Sequence, residues 1–156
     1  MPRPTRWARV SSWAFRFNAM QTVHATCVAV GGFGILITGA SGQGKSGLGL
    51  HLMALGAQLI ADDQTILTPQ GNTIIATCPP PLFGLIEARG IGLLHASPAP
   101  HAQIHLVIDL DQTETQRLPP KRSTQLLGVA IDLVFWSTYR HFPYGIMQLA
   151  RGGRRA

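Results

Sequence analysis

The sequence predicts an α/β fold: a mixed sheet with a β-rich second half and one helix behind a glycine-rich loop. Two observations predict it. A short apolar run, "FGILIT" at 33–38, leads straight into "GASGQGKS" at 39–46, and Leu48, Leu50, Leu52, Met53 and Leu55 then suit a helix packed on a sheet. Beyond position 57, short β-rich runs between Gly, Pro and polar residues dominate, with no regular strand–helix alternation.

Each element follows in order. Residues 21–30 are apolar-rich with partial alternation and read as a strand carrying His24 in its middle, closed by a turn at Gly31 and Gly32. Residues 33–38 read as a buried strand, and 45–55 as a helix that Gly56 stops. "QLIA" at 58–61 is a strand ending at Asp62 and Asp63. "TILTPQGNTIIAT" reads as a hairpin turning at Pro69, Gln70, Gly71 and Asn72. "CPPPLFGL" is an irregular connection, and "IEARGIGLLH" carries two further glycines. "AQIHLVIDL" at 102–110 is a strong strand, "DQTETQRLPPKRST" a polar loop, and "QLLGVAIDLVFW" a final strand or two. There are no internal repeats.

The 156 residues fit one domain, with 46% hydrophobic and 13% charged residues excluding a disordered chain. The apolar runs are short, far from the ~20 residues of a membrane span. The net charge of +6 invites a nucleic-acid reading, but the distribution argues against it. Arg3, Arg6, Arg9 and Arg16 precede residue 20, and Arg140, Arg151, Arg154 and Arg155 follow residue 139. Between them five Lys or Arg face seven acids, so the body is slightly acidic. The expected organisation is a basic, disordered extension at 1–19, a single domain at 20–150 and a basic tail at 151–156. Cys27 and Cys78 lack metal-ligand spacing and read as free thiols of a reducing cytoplasm.

Gly39-x-x-x-x-Gly44-Lys45-Ser46 is the phosphate-loop pattern, so the fold is expected to be P-loop-containing. Glycines at 39, 42 and 44 let the backbone N–H groups of Gly39, Ala40, Ser41, Gly42, Gln43 and Gly44 turn toward an anion without a Cβ in the way. The following helix presents its positive end, Lys45 is a flexible cation for the outer phosphate oxygens, and Ser46 offers a hydroxyl to Mg²⁺. The strand end 17 residues past Lys45 brings two acids, Asp62 and Asp63, of the kind that hold Mg²⁺ or orient a nucleophile in P-loop proteins. Neighbours on an extended chain face opposite ways, so one of the two would aim at the γ-phosphate and the other would support it. Glu87, in "EARGIG", is a weaker candidate on its own, readable as a solvated partner of Arg89. No zinc site is read among the histidines: His101 and His105 are four apart but at the start of a predicted strand, where that spacing separates them by about 13 Å.

Taken together, "HATCVAVGGFGILITGASGQGKS", "GAQLIADDQTIL" and "GLIEARGIGLL" resemble the catalytic domain of HPr kinase/phosphorylase over about residues 20–110. That family shows a His at a strand start, a G-x-S-G-x-G-K-S loop, an "LVADD" strand end and an E-x-R-G-x-G signature. The resemblance implies its P-loop fold, similar to phosphoenolpyruvate carboxykinase. It implies Mg²⁺ and ATP as cofactors and the HPr phosphocarrier of the sugar phosphotransferase system as protein substrate. Residues 39–46 would bind the nucleotide; Ser46 and Glu87, with Asp62, would form the metal site. Asp63 would take the proton of the substrate serine, and return one when inorganic phosphate attacks the phosphoserine. His24 would stand near Asp63, and Arg89 belongs to the shared signature. Long members assemble as hexamers, an assembly the resemblance leaves open here. The chain looks like the short alphaproteobacterial form. It departs at Gly47, where long forms usually carry Glu, and after residue 120, where Lys121, Arg122 and Arg140 all remain candidates for a later catalytic arginine or its substitute. Kinase activity is therefore better supported than phosphorylase activity. Two rival classes are a small-molecule P-loop kinase and a non-catalytic nucleotide-binding module.

Overall fold

The computed structural model describes residues 20–156, so the expectation for 1–19 lies outside the described residues. Eleven strands and two helices follow in the order β1 (Gln21–Val23), β2 (Thr26–Val30), β3 (Phe33–Thr38), α1 (Lys45–Ala54), β4 (Gln58–Ala61), β5 (Thr65–Gln70), β6 (Thr73–Thr77), β7 (Leu85–Ala88), β8 (Gly92–His95), β9 (His101–Thr113), β10 (Arg122–Leu126), β11 (Val129–Trp136) and α2 (Phe142–Gly152). A 3₁₀ turn occupies Pro80–Leu82.

Nine strands form one mixed sheet in the order β1-β5-β6-β9-β3-β2-β4, with β11 and then β10 added beside β9. β9 is the hub. One edge pairs in parallel with β3, and the other takes β6 at residues 101–103 and then β11, again in parallel. The carboxyl ends of β3, β9 and β11 thus share one edge of the sheet, where ligands bind in open α/β sheets. β3 comes so close to β9 that a Cβ on Gly34 would stand 2.4 Å from the Gln103 carbonyl oxygen.

Alternation along the strands sorts the core into two layers. Val28, Ile35, Ile37, Leu106 and Ile108 face α1 and α2, where Leu48, Leu52, Phe142, Ile146 and Met147 meet them. Cys27, Ala29, Leu36, Ile104 and Val107 face the other way, against Ile60, Leu67 and Ile74. A register shift between Ile104 and Leu106 keeps both faces apolar. β1 and β2 are consecutive in sequence yet far apart in the strand order. The sheet must curl to allow this, and the Thr65 hydroxyl ties the ends by donating to the Ala25 carbonyl at 2.9 Å.

Two expectations need correction. Residues 21–30 are two strands joined at His24 and Ala25, so His24 is at a junction rather than mid-strand. The polar loop expected at 111–124 is shorter, because β9 runs through Thr113 and β10 starts at Arg122. "IEARGIGLLH", given no element from the sequence, is a separate two-stranded ribbon, β7–β8. The segment after β11 contains α2, an unforeseen helix that runs into the expected basic tail. The helix at 45–54 and the 65–77 hairpin stand as expected.

Candidate active site

The loop at 39–46 leaves the carboxyl end of β3 and enters α1 at Lys45. Gly44 caps the helix at φ 97°, a conformation that costs any residue with a Cβ. Lys45 is almost wholly buried, and its Nζ donates to the carbonyls of Gly39 (2.8 Å) and Ala40 (3.2 Å).

Asp62 and Asp63 follow β4 directly and have opposite fates. Asp62 is 6% exposed. Its Oδ1 accepts from the Ser46 hydroxyl at 2.7 Å and the Thr26 hydroxyl at 2.8 Å, and its Oδ2 accepts from the Glu87 backbone N–H at 3.1 Å. Among the described residues no Lys, Arg or His stands within 4.0 Å of it. Its charge is therefore held by neutral donors alone, and the adjacent, half-buried Cys78 responds: burial first, then Asp62, pushes its thiol up. Asp63 turns out of the strand into a left-handed conformation, φ 66°. This local strain, rather than the expected strand alternation, splays the two carboxylates. Asp63 Oδ1 lies 3.3 Å from His24 Nε2, and the same nitrogen is 3.4 Å from the Ser41 hydroxyl on the loop. Both side chains are more than half exposed.

Glu87 is on β7, hung on Asp62 through its N–H while its side chain faces solvent. Arg89 Nε is 3.9 Å from Glu87 Oε1, and both are exposed, a pairing worth little by itself. Gly49, one turn into α1, has no Cβ to press on Thr26 Cγ2, which would then lie at 3.0 Å. The sequence-derived residues thus gather at one edge: the loop, Asp62, Asp63, His24 and Glu87. Of the later cations, Arg122 is engaged by Glu114 through Nη2 (3.1 Å) and Nε (3.2 Å). Arg140 follows β11, whose carboxyl end shares the loop's edge.

Two residues were not foreseen. Thr26 offers no local signal, because its partner is 36 positions away. Asp111, assigned from sequence to a polar loop, belongs to the end of β9 and accepts the Ala40 N–H at 3.0 Å. An acid at the carboxyl end of a strand beside the loop strand was the available cue.

Ser46 and Asp62 fit a divalent cation: the hydroxyl spends its proton on Asp62, leaving its oxygen lone pairs free, and the buried carboxylate charge is unbalanced by any cationic side chain nearby. A phosphate loop entering a helix, a buried acid behind its serine and an exposed acid beside it define a P-loop protein equipped for phosphoryl groups. Comparison with known proteins narrows this. The family model HPr Serine kinase C-terminal domain matches residues 16–134, and the chain belongs to that family. The HPr kinase/phosphorylase of Acidovorax sp. (strain JS42) is 39% identical over 74% of this chain and 41% of its own. That of Limosilactobacillus reuteri (strain DSM 20016) is 34% identical over 76% of this chain and 41% of its own. The chain spans about two fifths of the length of these curated relatives. The Hpr(Ser) kinase/phosphatase structure from Coxiella burnetii superposes with a TM-score of 0.71 at 28% identity, covering 84% of this chain and 94% of that one.

Proposed function

We propose that the protein is a Mg²⁺- and ATP-dependent serine kinase whose acceptor is the HPr phosphocarrier, and that it also runs the reverse phosphorolysis. The observation that carries this reading is the placement of Asp63: exposed, in contact with His24, and linked through it to Ser41 of the phosphate loop.

The geometry supports the following roles. The backbone of 39–46 and the Lys45 ammonium bind the nucleotide phosphates. Ser46 with Asp62 behind it, and Glu87 on the neighbouring strand, would hold the metal, which would supply positive charge to offset that of the nucleotide phosphates. Asp63 accepts the seryl proton late in a loose transition state, and His24 orients its carboxylate. In reverse, protonated Asp63 gives the proton back to the seryl oxygen as inorganic phosphate takes the phosphoryl group. Arg89 stands beside Glu87 to meet the transferring group or the acceptor. Of the three later cations Arg122 is committed to Glu114, which leaves Lys121 and Arg140 as the remaining candidates.

The test is transfer of label from ATP to purified HPr with and without Mg²⁺. Metal-dependent HPr-serine phosphate, reversed by inorganic phosphate, is expected. ATP binding without labelled HPr would instead move the search to small-molecule acceptors.

A further inference from the structure

The β7–β8 ribbon does two things at once. Its inner face anchors it: Ile86 and Ala88 are buried, and Ile86 joins the core layer under α1. Its outer face carries Glu87, and the register sets Leu93 directly opposite, on that same face. Leu93 is 66% exposed, and Ile91, at the turn, 78%. Phe83, just ahead of the ribbon, is 47% exposed. Three of the seven large hydrophobic side chains left exposed among the described residues therefore cluster within eleven positions, beside a residue that hangs on Asp62. A lone two-stranded ribbon is marginal in water, and placing aliphatic groups on its wet face has no folding benefit.

We propose that this outer face is the docking surface for the acceptor protein, seating an apolar patch of the acceptor next to its reactive serine. The inference rests on the protein-kinase reading above. The surface is continuous with the phosphoryl-transfer site: Glu87 and Leu93 are a cross-strand pair, so whatever sits on Leu93 is about 5 Å from the Glu87 position. The chemistry also selects the occupant. The centre of the surface, Ile91 and Leu93, is aliphatic and suits apolar protein side chains. Glu87 and Arg89 form a polar rim around the aliphatic centre, the anatomy of a protein interface. A patch this small suits a transient encounter, as turnover requires.

The test compares wild type with the double variant Ile91→Thr, Leu93→Thr, which removes the aliphatic groups and puts a strand-compatible β-branched residue at both positions. Steady-state transfer from ATP to HPr is measured with each substrate varied, together with thermal unfolding and sedimentation velocity. The expected result is a KM for HPr raised about tenfold or more, as for loss of interface anchors. The kcat at saturating HPr, the KM for ATP, the unfolding curve and the oligomeric mass should stay as in wild type. An unchanged KM for HPr overturns the proposal. So does a raised KM for ATP, which would make the ribbon a nucleotide clamp, or a changed mass, which would make it a self-association face. Should wild type fail to label HPr at all, the protein-kinase reading itself falls and takes this surface with it.

Discussion

Two carboxylates of the molecule are held in opposite ways. Asp62 is buried beside the phosphate loop and, among the described residues, is satisfied only by two hydroxyls and a backbone N–H. Glu114, just past β9, is gripped by both arms of the Arg122 guanidinium, which also lies 4.4 Å over the Phe135 ring. The second region neutralises itself. It borders a groove of about 640 Å³ walled by Leu118, Phe135, Phe142 and Ile146, away from the loop. The first keeps a buried carboxylate with no cationic side chain within 4.0 Å among the described residues. Burying such a charge is costly, and hydrogen bonds from neutral donors offset only part of that cost. On the proposed function, the first region is the one left for an added cation, and the second has already consumed its attraction.

The sharpest way to break that contrast is at Asp62. Asp62→Ala leaves the Thr26 and Ser46 hydroxyls and the Glu87 N–H without their acceptor, and a stability loss of about 1–3 kcal/mol or more in denaturant unfolding is expected. Asp62→Asn keeps an acceptor and removes the charge. It should unfold nearer to wild type, yet need about tenfold more Mg²⁺ for half-maximal transfer. Equal Mg²⁺ requirements in Asn variant and wild type would place the metal elsewhere.

A smaller effect is expected at Asp111. Asp111→Ala frees the Ala40 N–H and loosens the loop, weakening ATP binding severalfold by calorimetry, while Asp111→Asn, still an acceptor, restores it. Parallel losses in both variants would point to the charge rather than the hydrogen bond.

The smallest effect on activity is expected at Glu114, and it is one of pH. Hydrogen bonding from Arg122 holds its carboxyl below the usual value, opposed by desolvation and reinforced by the Gln116 and Thr115 N–H groups. A lowered folded-state value means the contribution is complete above the unfolded carboxylate value and is lost as pH falls through the folded one. Glu114→Gln should therefore flatten the acid limb of the stability curve below about pH 4 and leave phosphoryl transfer untouched. A change in transfer rate would connect the two regions.

What was legible in the sequence follows the range of the interactions. Gly39 to Ser46 and the paired Asp62 and Asp63 are local patterns with local causes, so they could be read directly, whereas Glu87 and Arg89 were singled out only through the family resemblance. The hairpin at 65–77 was equally local, carried by its own turn residues. Thr26 acts through a partner 36 positions away and leaves no local trace, while Asp111, whose partner is 71 positions away, was marked only by its place at the end of a strong strand. The break at His24 is imposed by the curl of the sheet, which sends β1 to β5 and β2 to β3 and β4. α2 was masked by Pro143 and Gly145, poor helix formers in general. Yet the proline is in the first turn, where it is tolerated, and Phe142, Ile146 and Met147 bury one face. The β7–β8 ribbon was hidden by its glycines, three of which lie between 84 and 92 at positive φ.

The central claim is that the two adjacent aspartates divide the labour, Asp62 holding the metal side and Asp63 the proton. It is tested most directly by measuring kcat for HPr phosphorylation and the Kd for Mg²⁺·ATP in Asp63→Asn beside wild type. A fall in kcat of ~10²-fold or more with the nucleotide affinity retained is the predicted result, because a general base contributes about that much to the chemical step alone. A kcat close to wild type, or a matching loss of nucleotide affinity, would contradict it.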